Sequence, residues 1–190
     1  MKILIIFLSF IVNASPPQKA PEINGELKDV FDKPLAVTSG ENGLLFYFTS
    51  EHCPYDLSWK SRMLSAAQIA FKHKVNVYLI NPHSEETFEQ NKLVNLQNTA
   101  KYFGENVAYL SQPPIEILKN FRVKRTPSVY LYNNQKKLVY FGAIDDQPEL
   151  GQKVENNYLL NALNSMTTNT PIANQITHVL GCKVSFEEKK

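Results

Sequence analysis

The chain has 190 residues, 43% of them apolar and 20% charged, which suits one folded domain with short appendages. Nine Tyr, 11 Phe and one Trp supply a large core, so the chain needs no disulfide merely to fold. A net charge of +2 with no long basic run argues against a nucleic-acid partner.

Lys2 followed by the apolar run Ile3–Val12 and the small residues Asn13-Ala14-Ser15 predicts a signal peptide over residues 1–14. Ten residues, apolar except for Ser9, are too few for a spanning helix, which needs roughly 20. The mature chain is therefore expected to be exported, periplasmic or secreted, with no membrane span after cleavage. Residues 15–25 are Pro-rich and polar and read as a linker or arm. Short strands are expected around a turn at Asp32-Lys33-Pro34, and Gly40–Gly43 forms a turn. The run Leu44–Phe48 has the continuous apolarity of a strand buried on both faces. Pro54 to about Lys72 reads as a helix, with Leu57, Met63, Leu64, Ala67 and Phe71 at three- and four-residue spacings. Val75–Ile80 is a second buried strand. Ser84 is expected to cap a helix running to Tyr102 and stopped by Gly104. A strand at Val107–Leu110, a helix at Pro114–Phe121 and a hairpin of Ser128–Tyr132 with Leu138–Phe141 follow. A last helix is expected over Glu149–Met166. Residues 167–190 form an extended tail that carries Cys182. The order predicts an α/β fold, a central mixed β-sheet flanked by helices, with the domain spanning 26–166.

Cys53 is the sharpest chemical feature. It stands between an apolar strand and the helix opened by Pro54, where helix-dipole charge and free N–H groups favour a thiolate. His52, if protonated, would act in the same direction; a charged Asp56 would oppose it. An even cysteine count in an exported chain suggests a disulfide, and Cys53 with Cys182 is the one intramolecular pairing. The bridge could be permanent, could cycle, or the two thiols could stay apart. Asp145-Asp146 could hold a cation or a base, or serve as solvated turn residues. His52, His73, His83 and His178 lack the spacing of a metal site, and nothing in the sequence asks for a cofactor. Arg62 could either face Cys53 or be a solvated surface residue.

The segment Tyr47-Phe48-Thr49-Ser50-Glu51-His52-Cys53-Pro54-Tyr55-Asp56 resembles the active-site segment of the thioredoxin superfamily, where Cys-x-x-Cys opens a helix. Cys53 falls on the first cysteine and Asp56 on the second. Arg125-Thr126-Pro127 resembles the superfamily's Thr-Pro, whose proline is cis and lies beside the reactive cysteine. The order Tyr140–Asp146, Tyr158–Leu163 and Gly181–Val184 is similar to the peroxiredoxin-like redoxins grouped with the alkyl hydroperoxide reductase/thiol-specific antioxidant family. This resemblance extends over about residues 27–186. It implies a thioredoxin-like fold and a thiol–disulfide oxidoreductase of the cell envelope. Cys53 would attack, Cys182 would resolve, Asp56 would tune or shuttle a proton, and Pro127 would wall a peptide groove. Thr126, Pro54, Asp145 and Asp146 would border the substrate, a protein or small-molecule thiol or disulfide. Two alternatives stand beside it: a non-catalytic binding or structural protein stapled by Cys53–Cys182, and a thiol peroxidase. True peroxiredoxins set their reactive cysteine one turn into the helix, where this chain has Asp56. Phe46 stands where their motif has proline.

Overall fold

The computed structural model describes residues 15–185; the expected signal peptide lies outside them. A small hairpin, β1 (Leu27–Lys28) and β2 (Pro34–Leu35), precedes the main sheet. The sheet is built from β3 (Gly43–Phe48), β4 (Val75–Asn81), β5 (Val107–Ser111), β7 (Ser128–Asn133) and β8 (Leu138–Gly142), in the order β5-β4-β3-β7-β8. The first three are parallel, joined through helices; β7 and β8 run antiparallel. Two further strands, β6 (Arg125–Thr126) and β9 (Cys182–Lys183), pair only with each other among the described residues. This is the mixed sheet the sequence predicts.

The pleat of β3 explains both halves of the core. Every residue of β3 is buried, and alternate side chains point to opposite faces. Leu45 and Tyr47 join the apolar cluster beneath α1 (Pro54–Lys72), α2 (Leu93–Phe103) and α4 (Tyr158–Thr167). Leu44, Phe46 and Phe48 join the opposite cluster with α3 (Ile115–Phe121). There Phe121 sits edge-on to Phe46 and Phe48, with ring centroids 4.8 and 5.1 Å apart. The expected arm is laid along the hairpin edge: Ala20 N donates to Lys136 O at 2.8 Å and Leu138 N to Gln18 O at 2.8 Å. It covers an otherwise open strand edge.

Three expectations need correction. The helix expected from Ser84 starts at Leu93. Ser84 does accept from Thr87 N at 3.3 Å, as a cap would, but the turn is not continued and a short 3-10 segment (Glu89–Asn91) intervenes. The helix expected from Glu149 starts at Tyr158, because Asp146 collects the N–H groups of Glu155 and Asn156 at 3.1 and 3.0 Å and holds that stretch as a loop. On α1 the buried face is Asp56, Trp59, Met63, Ala66, Ala67 and Ala70, while Leu57 and Phe71 are more than half exposed, at 52% and 53%.

Asp145 is not a solvated turn residue. It is 2% exposed and accepts from Trp59 Nε1 at 2.7 Å and Gln147 N at 2.9 Å. Arg62 Nε lies 3.2 Å from its Oδ2, an ion pair without hydrogen-bond alignment. Arg62 is thereby accounted for as the partner of Asp145 and as a donor to Gln147 O at 2.6 Å. Asp145→Ala is expected to cost about 3 kcal/mol, because it strands a buried indole N–H and half of an ion pair. Urea unfolding checks this; a loss below about 1 kcal/mol would refute it.

Candidate redox site

The sheet register brings the site together. Phe48, the last residue of β3, pairs with Ser128, the first of β7. The loop leaving β3 reaches Cys53 just where Pro127 enters β7, and the Thr126–Pro127 bond is cis. The site thus forms at the carboxyl end of the parallel strands, where open α/β sheets place ligands.

Cys53 is the N-cap of α1, with extended backbone angles of φ −85° and ψ 116°. Leu57 N donates to its carbonyl at 3.1 Å, closing the first helical turn. Pro54 takes the next position, where its missing N–H costs nothing. Cys53 is fully buried. It is bonded to Cys182, 129 residues away, with the two Cα atoms 5.9 Å apart. Its sulfur lies 3.2 Å from the carbonyl oxygen of Thr126; a reduced thiol could donate there, a disulfide sulfur cannot.

Cys182 arrives on β9, which pairs with β6 so that Thr126 faces Cys182 and Arg125 faces Lys183. Val184 N donates to Lys124 O at 3.0 Å, and Arg125 donates to Gly181 O at 2.6 Å. A side chain at Gly181 would be driven into the Thr126 carbonyl, so only glycine allows this approach. Thr126 is wholly buried, and its hydroxyl has no hydrogen-bond partner among the described residues. Cys182 is only partly buried. Of the two bonded residues it is the more exposed.

Asp56 sits one turn into α1, buried at 4% exposure. The Tyr47 hydroxyl and the Ser50 N–H both donate to its carboxyl. Burial outweighs these bonds and pushes its pKa up to about 7. The same burial, with the charge of Asp56, drives the Tyr47 phenol upward. A cavity of about 10 Å³, at the lower limit for one water, touches Asp56, Glu51, Lys60 and Thr99. Lys60 Nζ donates to Thr99 Oγ1 at 2.7 Å and lies 3.5 Å from Glu51 Oε2.

His52 does not supply the positive charge that would favour a Cys53 thiolate. Its ring stacks on Phe88, with centroids 3.5 Å apart and planes 7° from parallel. Burial lowers its pKa, which favours the neutral ring. His83 packs edge-on to it at 4.7 Å, 5% exposed, its own pKa lowered to about 4 by burial and by His52. Asp145 and Asp146 are held by Trp59, Arg62, Glu155 and Asn156, with no hydrogen bond to Cys53 among the described residues. Sequence reasoning had Tyr47, Ser50 and Gly181 only as members of family-like segments, without these contacts, and did not anticipate Phe88. For Tyr47 a signal existed: a tyrosine in a fully buried strand needs a partner for its hydroxyl.

No protein-family model matches the chain, and no curated protein matches it. Solved structures do. An uncharacterized conserved protein from Geobacillus kaustophilus matches with a TM-score of 0.81 at 21% identity, covering 93% of this chain and 94% of that one. A thioredoxin-like protein in its oxidized form matches with a TM-score of 0.57 at 20% identity, over 80% and 97% of the two chains. A secreted disulfide oxidoreductase of Mycobacterium tuberculosis matches with a TM-score of 0.51 at 13% identity, over 73% and 93%. At these identities the likeness concerns the fold, and that fold is thioredoxin-like.

Proposed function

We propose that the chain is a thiol–disulfide oxidoreductase of the cell envelope in which Cys53 attacks and Cys182 resolves. One observation carries the reading: a tail strand delivers Cys182 to Cys53 at the start of α1, against the Thr126–Pro127 turn. An envelope site is supported by the signal-like start of the sequence. It is compatible with the described helices, none of which is long and apolar enough to cross a membrane.

In the reduced chain the Cys53 thiolate attacks a substrate disulfide; one substrate sulfur leaves as thiolate and a mixed disulfide forms. The Cys182 thiolate then attacks the Cys53 sulfur, closing the Cys53–Cys182 bond and expelling the second substrate thiolate. The substrate is reduced by two electrons and the chain oxidised by two. A dithiol reductant restores the chain by attacking the sulfur of Cys182, the more exposed residue of the pair. Cys53 leaves as thiolate, its charge set at the helix N-terminus. The reductant's second thiolate then attacks the mixed disulfide and frees Cys182. Asp56, which exchanges its proton close to pH 7, sets the charge beside Cys53 and serves as the nearby proton store. Thr126, Pro54 and Pro127 frame the sulfur pair; Asp145 and Asp146 act at most through α1 and its neighbouring loop.

The reduction potential of the Cys53–Cys182 couple, measured by equilibration with glutathione, tests the reading. A value between about −120 and −230 mV matches exchangers, and one below about −300 mV makes the bond a permanent staple.

A further inference from the structure

The segment between β4 and α2 closes on the loop that carries Cys53. It holds both residues that precede the cysteine. Glu51 N donates to Asn91 Oδ1 at 3.2 Å, and the His52 ring stacks on Phe88. Asn91 is buried in turn, and Asn81, the last residue of β4, donates to the same oxygen at 2.9 Å. His83 completes the cluster. Its backbone N–H donates to Asn81 Oδ1 at 2.9 Å. Its ring stands edge-on to His52 and to Phe88, with centroids 4.7 and 5.3 Å away. His83 Nε2 is buried and has no hydrogen-bond partner among the described residues. The contacts with Phe88 and His83 are thus made by rings that must stay uncharged to stay packed.

We propose that Phe88, Asn91 and His83 are positioning residues that clamp the Cys53 loop, and that protonation of the His52–His83 pair opens the clamp and exposes the disulfide to reductant. The proposal rests on the exchange reading above and adds its regulation. Protonated His83 places a charge beside a second imidazole, and no described side chain offers Nε2 an acceptor. Water relieves both costs, and the ring reaches water by leaving His52 and Phe88. The ionisable side chains on the packed segments are Glu51, Glu85, Glu86, Glu89 and Lys92. Glu51 lies 3.5 Å from Lys60, Glu89 is paired with Lys92, and Glu85 acts on Lys92. The charge that bears on His83 is that of His52, which opposes its protonation. Cys53 is wholly buried, so loosening residues 51 and 52 is what gives a reductant room.

The test follows reduction of the oxidised full chain by tris(2-carboxyethyl)phosphine, which acts in acid. Phosphorus takes an oxygen from water, and its electron pair and the two protons of that water go to the two sulfurs. Rates at pH 6 and pH 4 are divided by those for hydroxyethyl disulfide, which cancels the titration of the phosphine. Asp56 exchanges its proton close to pH 7 and is largely protonated at both. The normalised wild-type rate is expected to rise at least about fivefold from pH 6 to pH 4; a His83 pKa lowered from 6.5 to about 4 allows at most about fortyfold. His83→Phe keeps a ring and loses the proton, so it should be slow and within about twofold at the two pH values. Phe88→Ala should be fast at both. In the wild type, amide exchange of Glu51 and residues 88–92 should rise over the same step relative to the amides of β3, a readout that needs no variant. A wild-type change below about twofold, an equal acid rise in His83→Phe, a slow Phe88→Ala at pH 6, or no relative rise in these amides each overturns the proposal. None of them touches the glutathione equilibration at neutral pH. A couple there as low as that of a permanent staple removes the exchange reading, whereas the phosphine and amide-exchange readouts judge the clamp by themselves.

Discussion

Cys53→Ser is expected to abolish thiol exchange, whereas Cys182→Ser is expected to leave a chain that captures its substrate and cannot release it. The asymmetry follows from the two positions. Cys53 is wholly buried at the start of α1, where a thiolate is favoured. Cys182 lies on a two-residue strand whose role in the proposed cycle is to close the bond. Mass spectrometry of the Cys182→Ser chain after exposure to a disulfide-bearing protein should find a stable adduct on Cys53. The same treatment of Cys53→Ser should find none. Both substitutions remove a link between residues 129 apart, worth about 4–5 kcal/mol in the chain-entropy model and often less in practice. Urea unfolding of oxidised and reduced wild type should bracket that loss, with each variant matching the reduced chain. Undiminished exchange in Cys53→Ser would end the assignment of Cys53 as nucleophile.

Asp56→Asn is expected to change the pH profile of stability more than any other single substitution in the site. Burial raises the folded pKa of Asp56 from 3.8 to about 7, so the folded chain keeps a proton that the unfolded chain has lost. Its contribution is fully present below pH 3.8 and is lost as pH rises through about 7. The full swing is at most about 4 kcal/mol. His83 works in the opposite sense. Its folded pKa is lowered from 6.5 to about 4, so its contribution is present above pH 6.5 and lost as pH falls toward 4. Between these limits the two slopes offset, and wild-type stability should fall mainly between pH 6.5 and 8. In Asp56→Asn the Asp56 slope disappears. Stability should then rise from pH 4 to 6.5 and stay level beyond. Unfolding in urea at half-unit pH steps checks this; a persistent fall above pH 6.5 in the variant would sink the account.

Where the sequence was legible, one local pattern sufficed. The continuous apolarity of Leu44–Phe48 marks a strand with no solvent face, and all of it is buried. Cys53 before Pro54 marks a helix start, and Cys53 is the N-cap. Where reading failed, a polar side chain had been counted as exposed. Asp56 leads the buried face of α1, so the apolar spacing selected Leu57 and Phe71, which face solvent. Asp145 looks like a turn residue until Trp59, 86 positions earlier, is known to need an acceptor. Ser84 and Glu149 carry plausible helix-start signals, but Phe88 is drawn to His52 and Asp146 claims the N–H groups of Glu155 and Asn156. The nearness of Cys53 and Cys182 has no local signal; it depends on β6 receiving β9.

The tail is also held partway along its length. Thr177 N donates to Phe141 O at 3.0 Å, and the Thr177 hydroxyl meets Tyr140 and the N–H of Ala143 at 2.7 and 3.1 Å. When the disulfide opens, Cys182 therefore hangs on a leash of five residues, with a reach of about 17 Å. Within so small a volume the effective concentration of its thiol is on the order of millimolar. Resolution then becomes a race that a dissolved thiol at micromolar levels loses, and wild-type adducts should be brief. Lengthening the leash, rather than altering either sulfur, would be the way to make the chain linger on its partners.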